Sequence, residues 1–448
     1  MDGAYGVTQC GIPPGSSFVY NITIPNDQFG TFWYHAHAGS ARADGLYGGL
    51  VVHEPVKSIV SGSHPYDKEV LLLIGDWYHR SADEVMSWYM RAGSFGNDPV
   101  PDSLLVNGVG QFSCSMAVPA RPVDCVQKEL DSVYFDSSND TSYLLRIVNT
   151  GSLAGFTIIS DADPLSVIAV DSVEVEPRES HSFGILYPGQ RMDLIFDASS
   201  KWKPSDLTIK LDTECFKYPN PALTPTQKFS INSGNHLRGQ LSSPNITHYT
   251  FLDIHNISSP EHILSPLAPQ ANLTEVVYSK TQKLSINHNV PFGFFNHTSW
   301  APQSDPAVPL NRLPREQWDK NQLLLSVPDS GNMEPIWVDL VVNNLDDTGH
   351  PFHLAPIGWG SYNPFTESHP PGASLDAYPD TNGIDLSRAM LRDTVYIPSR
   401  GYAVLRFRAD NPGVWFFHCH ILWHLASGMA MVVDVAGYPT PHGGACPV

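Results

Sequence analysis

The sequence predicts an all-β protein built from stacked β-sandwiches, on three observations. Only 16% of its 448 residues are charged. Proline and glycine are abundant, at 38 and 34 residues, which favours turn-rich β structure over helix bundles. Short alternating or apolar runs recur between Gly, Pro, Asn and Asp turns, among them 70–74, 143–148 and 192–196.

In chain order, the alternating run 18–24 and the turn after it lead into Trp33-Tyr34-His35-Ala36-His37. A short helix is expected near 81–91. The Pro/Asn/Ser-rich stretch 221–239 reads as a linker. The strand-like run 402–408 precedes the densest motif, and a second short helix is expected after Cys419. Three units follow: 1–65, 66–238 and 239–448.

The densest motif reads His418-Cys419-His420-Ile421-Leu422-Trp423-His424, with Met429 five residues further on. A Cys thiolate, two imidazoles and a weak axial thioether make a trigonal copper site. Cys419, His424 and Met429 supply three of those ligands, and a second His must come from elsewhere. Side chains alternate across an extended segment. His418 and His420 therefore point to one side and Cys419 to the other, so one stretch can serve two metal groups with a covalent path between them. A lone Cys-x4-His would mean little. Three His, one Cys and one Met within twelve residues outweigh a structural cluster around a core Cys.

His35-Ala36-His37, if extended, places both rings on one face, as a metal pair requires. His350-Pro351-Phe352-His353 can bind one metal or serve two neighbouring ones. Either motif alone is matched by ordinary hydrogen-bonded histidines. Together with the cysteine motif they are not.

With all three motifs present, the chain resembles a fungal multicopper oxidase of the laccase and ascorbate-oxidase superfamily, nearest in pattern to ascomycete laccases of the ascorbate-oxidase-like type. The resemblance covers essentially the whole chain, including the segment 102–108. It implies three cupredoxin-like Greek-key domains, the first incomplete. It implies a type 1 copper on His350, Cys419 and His424 with Met429 axial, a type 3 pair on His35, His37, His418 and His420, and a type 2 copper on His353. Asp2 matches an acidic residue that assists proton delivery. Cys419 and His424 would carry the electron entry. The implied reaction couples one-electron oxidation of phenolic or related aromatic reductants to reduction of O2 to water, by a secreted monomer. Family members hold four coppers, and fewer are expected here.

That expectation rests on departures from the pattern. The family's first motif, His-Trp-His-Gly, is absent, and the chain opens Met1-Asp2-Gly3, which resembles an internal segment. After Leu354 comes Ala355-Pro356-Ile357-Gly358, where relatives carry another His and a short strand, which reads as a small deletion. The type 3 pair then has four of six ligands and type 2 one of two. Leu422 stands where many relatives place an acid. Met429 implies a modest type 1 potential, because a thioether donates to copper. A copper-binding or electron-transfer remnant without oxidase activity is the alternative reading. Metal-ion oxidation needs acidic groups beside the type 1 histidines, which the sequence does not locate.

Of six cysteines, Cys419 is taken by copper. Cys10 and Cys446 lie at opposite ends and suit a clamp, and the resemblance implies that they pair. Cys114 and Cys125 are close enough to close a local loop, and Cys215 is left over, though sequence does not fix connectivity. The net charge of −19, with pI near 5.3, disfavours nucleic acid and anionic membranes as partners. No apolar run is long enough to span a bilayer and no signal peptide is encoded. Six glycosylation sequons, at Asn21, Asn139, Asn245, Asn256, Asn272 and Asn296, nonetheless favour a secretory history. His53, His181 and His262 read as surface or packing residues, and Trp33, Trp359 and Trp415 as core.

Overall fold

The computed structural model describes residues 3–54, 66–119, 123–126, 142–161, 164–197, 205–231, 250–331, 334–354, 360–363, 386–437 and Cys446. Asp2, the segment after Leu354, Trp359, Asn139, Asn245 and the part 232–239 of the expected linker lie outside the described residues. The earlier part of that stretch is not a linker throughout: Thr226–Ile231 is an edge strand paired antiparallel with Ser205–Leu211, because a free sheet edge takes its backbone hydrogen bonds. Among the described residues strands dominate and helices are short.

The middle of the chain folds as two packed sheets. One has seven strands, with Lys68–Trp77, Ser142–Asn149 and Arg191–Asp197 at its centre. The other has five, with Phe156–Ser160 and Ser182–Leu186 near its centre. Leu145, Ile147, Val167 and Leu194 from the first meet Ile158, Phe183, Leu207 and Ile209 from the second in one core. Each such side chain, fully buried, contributes roughly 1.5–3 kcal/mol. The strand Phe251–Asp253, later in the chain, joins this five-stranded sheet parallel to Ser182–Leu186. Asn107-Gly108, both at positive φ, closes the tight hairpin between Ser103–Val106 and Val109–Gly110.

The C-terminal part is a second sandwich. Its six-stranded sheet is centred on Ile336–Asn344 and Tyr402–Ala409. Its five-stranded sheet runs Leu324–Val327, Ala430–Val435, Gly413–Cys419, His350–Leu354, Thr394–Ile397. Alternation decides the facing: Ala403, Leu405 and Phe407 enter the main core with Phe352, Phe417 and Met431, whereas Tyr402 and Val404 pack on the opposite face with Val341.

The N-terminal part contributes a two-stranded ribbon, Gly30–His35 antiparallel to Tyr47–Val52. The alternating run 18–24 pairs with no strand among the described residues, and Phe18, Val19 and Ile22 are exposed. Alternation makes a two-faced segment, but a strand also needs a neighbouring edge to take its hydrogen bonds. Buried polar groups fasten the ribbon to the middle sandwich. Thr31 Oγ1 donates to Asp193 (2.6 Å) and accepts from Arg146 (3.0 Å), and Arg191 donates to the Thr31 carbonyl (3.1 Å). Arg191 also grips Asp393 of the C-terminal sandwich through two nitrogens, at 2.5 and 2.7 Å.

The helix near 81–91 is Ala82–Tyr89, started by a capping box in which Ser81 and Glu84 satisfy each other's backbone N–H. Its buried Val85 and Tyr89 share the C-terminal core with Leu422 and Trp423 of the helix Leu422–Ala426. This contact brings the loop after Tyr89 against the copper motif. Cys10–Cys446 and Cys114–Cys125 are disulfides, and Cys215 and Cys419 are free. No described helix is long and apolar enough to cross a membrane.

Candidate metal centre

Pairing of the strands His350–Leu354 and Gly413–Cys419 organises the site: Phe352 lies opposite Cys419 and His353 opposite His418. Residues three apart on a strand face opposite ways. His350 therefore turns into the core towards Cys419, and His353 turns out of it towards His418. One His-x2-His thus feeds two separate groups.

On the core side, Cys419 Sγ lies 3.8 Å from His350 Nδ1 and 3.7 Å from His424 Nδ1. The ligand atoms of these three residues all fall within 4.8 Å of one another, the one such group among the described residues. All three are buried. Met429 is buried in the same core, with its backbone carbonyl accepting from the Cys419 N–H (3.0 Å) and its own N–H donating to His424 O (2.9 Å).

Each ring's far nitrogen meets a carboxylate: His350 Nε2 is 3.0 Å from Asp346 and His424 Nε2 is 3.0 Å from Asp98. Such outer partners fix which nitrogen carries the proton and leave Nδ1 as the ligand atom. Burial alone would lower both histidines, but Asp346 and Cys419 raise His350, and Asp98 and Cys419 raise His424 further. Burial would raise the Cys419 thiol, yet the two imidazoles bring it down to about 7. A readily formed thiolate facing two imidazoles is a donor set that fits copper.

Behind Cys419 five rings converge. His35 and His37 stack at 4.6 Å between centroids. His35 meets His420 at 5.1 Å and His37 meets His418 at 5.3 Å. His353 lies 5.7 Å from His418 and 5.9 Å from His420. The Nδ1 atoms of His35, His353 and His418 face the carbonyl oxygens of Ala36 (3.2 Å), Asp393 (3.0 Å) and Cys419 (2.9 Å), so each carries its proton there and turns a lone pair at Nε2 elsewhere. His418 Nε2 is buried with no hydrogen-bond partner, as an empty ligand atom would be. Burial holds His35, His418 and His420 well below the ordinary histidine range, and burial also lowers His353. Four neutral rings suit metal binding. Their donor set suits copper, but it falls short of a full cluster of the kind the resemblance implies by the ligands that the sequence lacks.

Sequence reasoning missed several residues here. Asp346 stands four residues before His350, a spacing that could have been noticed. Asp98 lies 326 residues from His424 and gave no sequence signal. Arg42, on the turn Ala41–Asp44, reaches His420 Nδ1 at 2.7 Å. Trp33, expected in a core, instead lies against the cluster, 4.3 Å from the ring of His35 and 5.5 Å from that of His420, because the ribbon's inner face looks onto the copper motif. Trp415 is half-buried at the edge of the C-terminal core. His53 and His262 are exposed beside Glu69 and Glu174, and His181 is half-buried.

Three family models described as multicopper oxidase match residues 1–57, 68–227 and 314–437. The iron transport multicopper oxidase FET5 of Saccharomyces cerevisiae is 29% identical over 96% of this chain and 67% of its own length. The iron transport multicopper oxidase FET3 of Candida albicans is 29% identical over 97% of this chain and 65% of its own. Laccase-2 of Cryptococcus neoformans var. grubii is 28% identical, over 97% and 73%. The chain thus spans about two thirds of the length of the iron transport relatives. Among solved structures, Fet3p, a multicopper oxidase that functions in iron import, superposes with TM-score 0.76 at 23% identity, covering 96% of this chain and 76% of that one. The laccase from Botrytis aclada gives 0.74 at 26% identity, covering 97% and 75%.

Proposed function

The chain belongs to the multicopper oxidase family, and on that premise we propose that it is a laccase-like oxidase, taking single electrons from small phenolic or related aromatic reductants and reducing O2 to water. The observation that carries this reading is the joining of two donor sets by one peptide segment: Cys419 faces His350 and His424, while its neighbours His418 and His420 face His35, His37 and His353. Copper held there would supply one-electron redox chemistry on the Cys419 side and oxygen reduction on the histidine side. Asp98 and Asp346 hold the His424 and His350 rings with Nδ1 towards the thiolate. His418, Cys419 and His420, successive along the backbone, give electrons a covalent route between the two groups. Asp2, the proposed proton-delivery residue, lies outside the described residues. Met429, buried in the same core, would be the further, thioether ligand of the Cys419 group.

A second reading has specific support. Asp98 and Asp346 place two carboxylates directly on the two histidines through which electrons would enter, with 10% and 13% of their side chains exposed. Anionic groups at that spot favour a cationic reductant such as ferrous iron, and several relatives are named for iron transport.

Secretion is part of the proposal. Two disulfides suit an oxidising compartment. The sequon residues Asn21, Asn256 and Asn272 are exposed, and Asn296 is half-buried. A monomeric state is carried with it. The deciding experiment is copper analysis and oxygen uptake on the purified chain, supplied with a phenol or with ferrous iron. Thiolate-to-copper absorption with reductant-dependent oxygen uptake is expected. A single copper per chain and no uptake with either reductant would refute the oxidase reading.

A further inference from the structure

Arg42 is buried at 1% exposure, and among the described residues no carboxylate forms a direct ion pair with it; the buried Asp76 offsets its charge only through space. Its Nη1 lies 2.7 Å from His420 Nδ1, and its Nη2 donates to the carbonyls of His420 (2.8 Å) and Gly151 (3.4 Å). A guanidinium has donors only. His420 Nδ1 must therefore be the acceptor, and the neutral ring carries its proton on Nε2. This is the reverse of His35, His353 and His418, whose Nδ1 atoms donate to carbonyl oxygens. Metal-bound histidines ordinarily donate from the nitrogen away from the metal. His420 alone of these four is held against that rule.

The placement of the His420 ring has other supports. Its backbone N–H donates to Pro351 O at 2.6 Å, and Trp33 lies alongside. Gly189 presses so close that a Cβ there would sit 2.6 Å from His420 Cδ2. What Arg42 adds is a donor and a fixed positive charge. A unit charge a few ångströms from a dication in a protein interior opposes binding by about tenfold or more.

We propose that Arg42 is a positioning residue that fixes His420 in the tautomer opposite to its neighbours and sets a buried positive charge against the histidine cluster, restraining divalent metal binding at that ring. The proposal rests on the reading of His420 as a cluster ligand. Two measurements on the full chain test it. In copper-free protein labelled with 15N-histidine, with His420 assigned through His420→Gln, its Nδ1 should show the unprotonated shift and that of His418 the protonated one. Arg42→Met should abolish the contrast. In calorimetric titration with Zn2+, the binding class that is absent from His418→Ala should tighten by about tenfold or more in Arg42→Met, and stay near wild type in Arg42→Lys, which keeps the charge. A protonated His420 Nδ1 in the wild type, or zinc binding unchanged or weakened in Arg42→Met, overturns the proposal. If neither protein takes zinc at the cluster, the ligand reading of His420 falls, and with it the restraint on metal binding, while the nitrogen shifts still decide whether Arg42 sets the tautomer.

Discussion

His350 and His424 face each other nitrogen to nitrogen, their Nδ1 atoms 3.1 Å apart. Two lone pairs at that distance repel, and two N–H groups collide. The arrangement is relieved by a proton between the rings or by a cation between them and Cys419. Asp346 and Asp98 hold the outer nitrogens, so the pair cannot simply rotate away. The protein therefore keeps three donors aimed at one point before any metal arrives, which is preorganisation by outer hydrogen bonds.

Asp98→Asn and Asp346→Asn separate the two substrate readings. If the carboxylates guide a cation, oxygen uptake driven by ferrous iron should fall in kcat/KM by about 10- to 100-fold, with a smaller change for a phenol. Equal losses for both reductants would leave the carboxylates a purely orienting part.

Gly189→Ala tests how closely the cluster is packed. Gly189 has φ of +90°, where a side chain is strained, and its Cβ would meet the His420 ring at 2.6 Å. The variant should lose copper from the histidine side while keeping the thiolate-to-copper absorption of Cys419. Metal analysis paired with absorption spectroscopy reads both, and an unchanged copper count would contradict the packing.

Asp193 gives a pH dependence. Burial lifts its carboxyl from 3.8 to about 6, against the opposing pull of Thr31, Arg146 and Arg191. Between those values the folded chain keeps a proton that the unfolded chain has released. Its contribution to stability therefore falls as pH rises from about 4 to 6, by at most about 3 kcal/mol. Asp193→Asn cannot ionise, so its stability relative to wild type should improve by up to that amount between pH 4 and pH 7. Urea unfolding at the two pH values measures it, and a difference independent of pH would refute it.

The Cys10–Cys446 disulfide closes a separation of 436 residues. It anchors a segment whose Ala4 and Val7 are buried against Val414 and Phe416 of the C-terminal sandwich. Replacing both cysteines by serine should lower unfolding stability by about 2–5 kcal/mol, read from the urea midpoint. An unchanged midpoint would mean that the apolar contacts hold the segment unaided.

Much was written in the chain itself. Alternation and turn residues gave the strands Lys68–Trp77, Ser142–Asn149, Arg191–Asp197 and Tyr402–Ala409, because a buried sheet face demands that period. The spacing within His418–His424 and within His350–His353 announced copper chemistry, because ligand identity and strand alternation are local properties. Tertiary structure decided which distant groups complete the site. Asp98 reaches His424 because one helix packs on another, and Arg42 reaches His420 because a ribbon docks on a sandwich. The run 18–24 shows the converse: its pattern was that of a strand, but pairing depends on a neighbouring edge. Local pattern sets which face a residue offers, and only packing determines what meets that face.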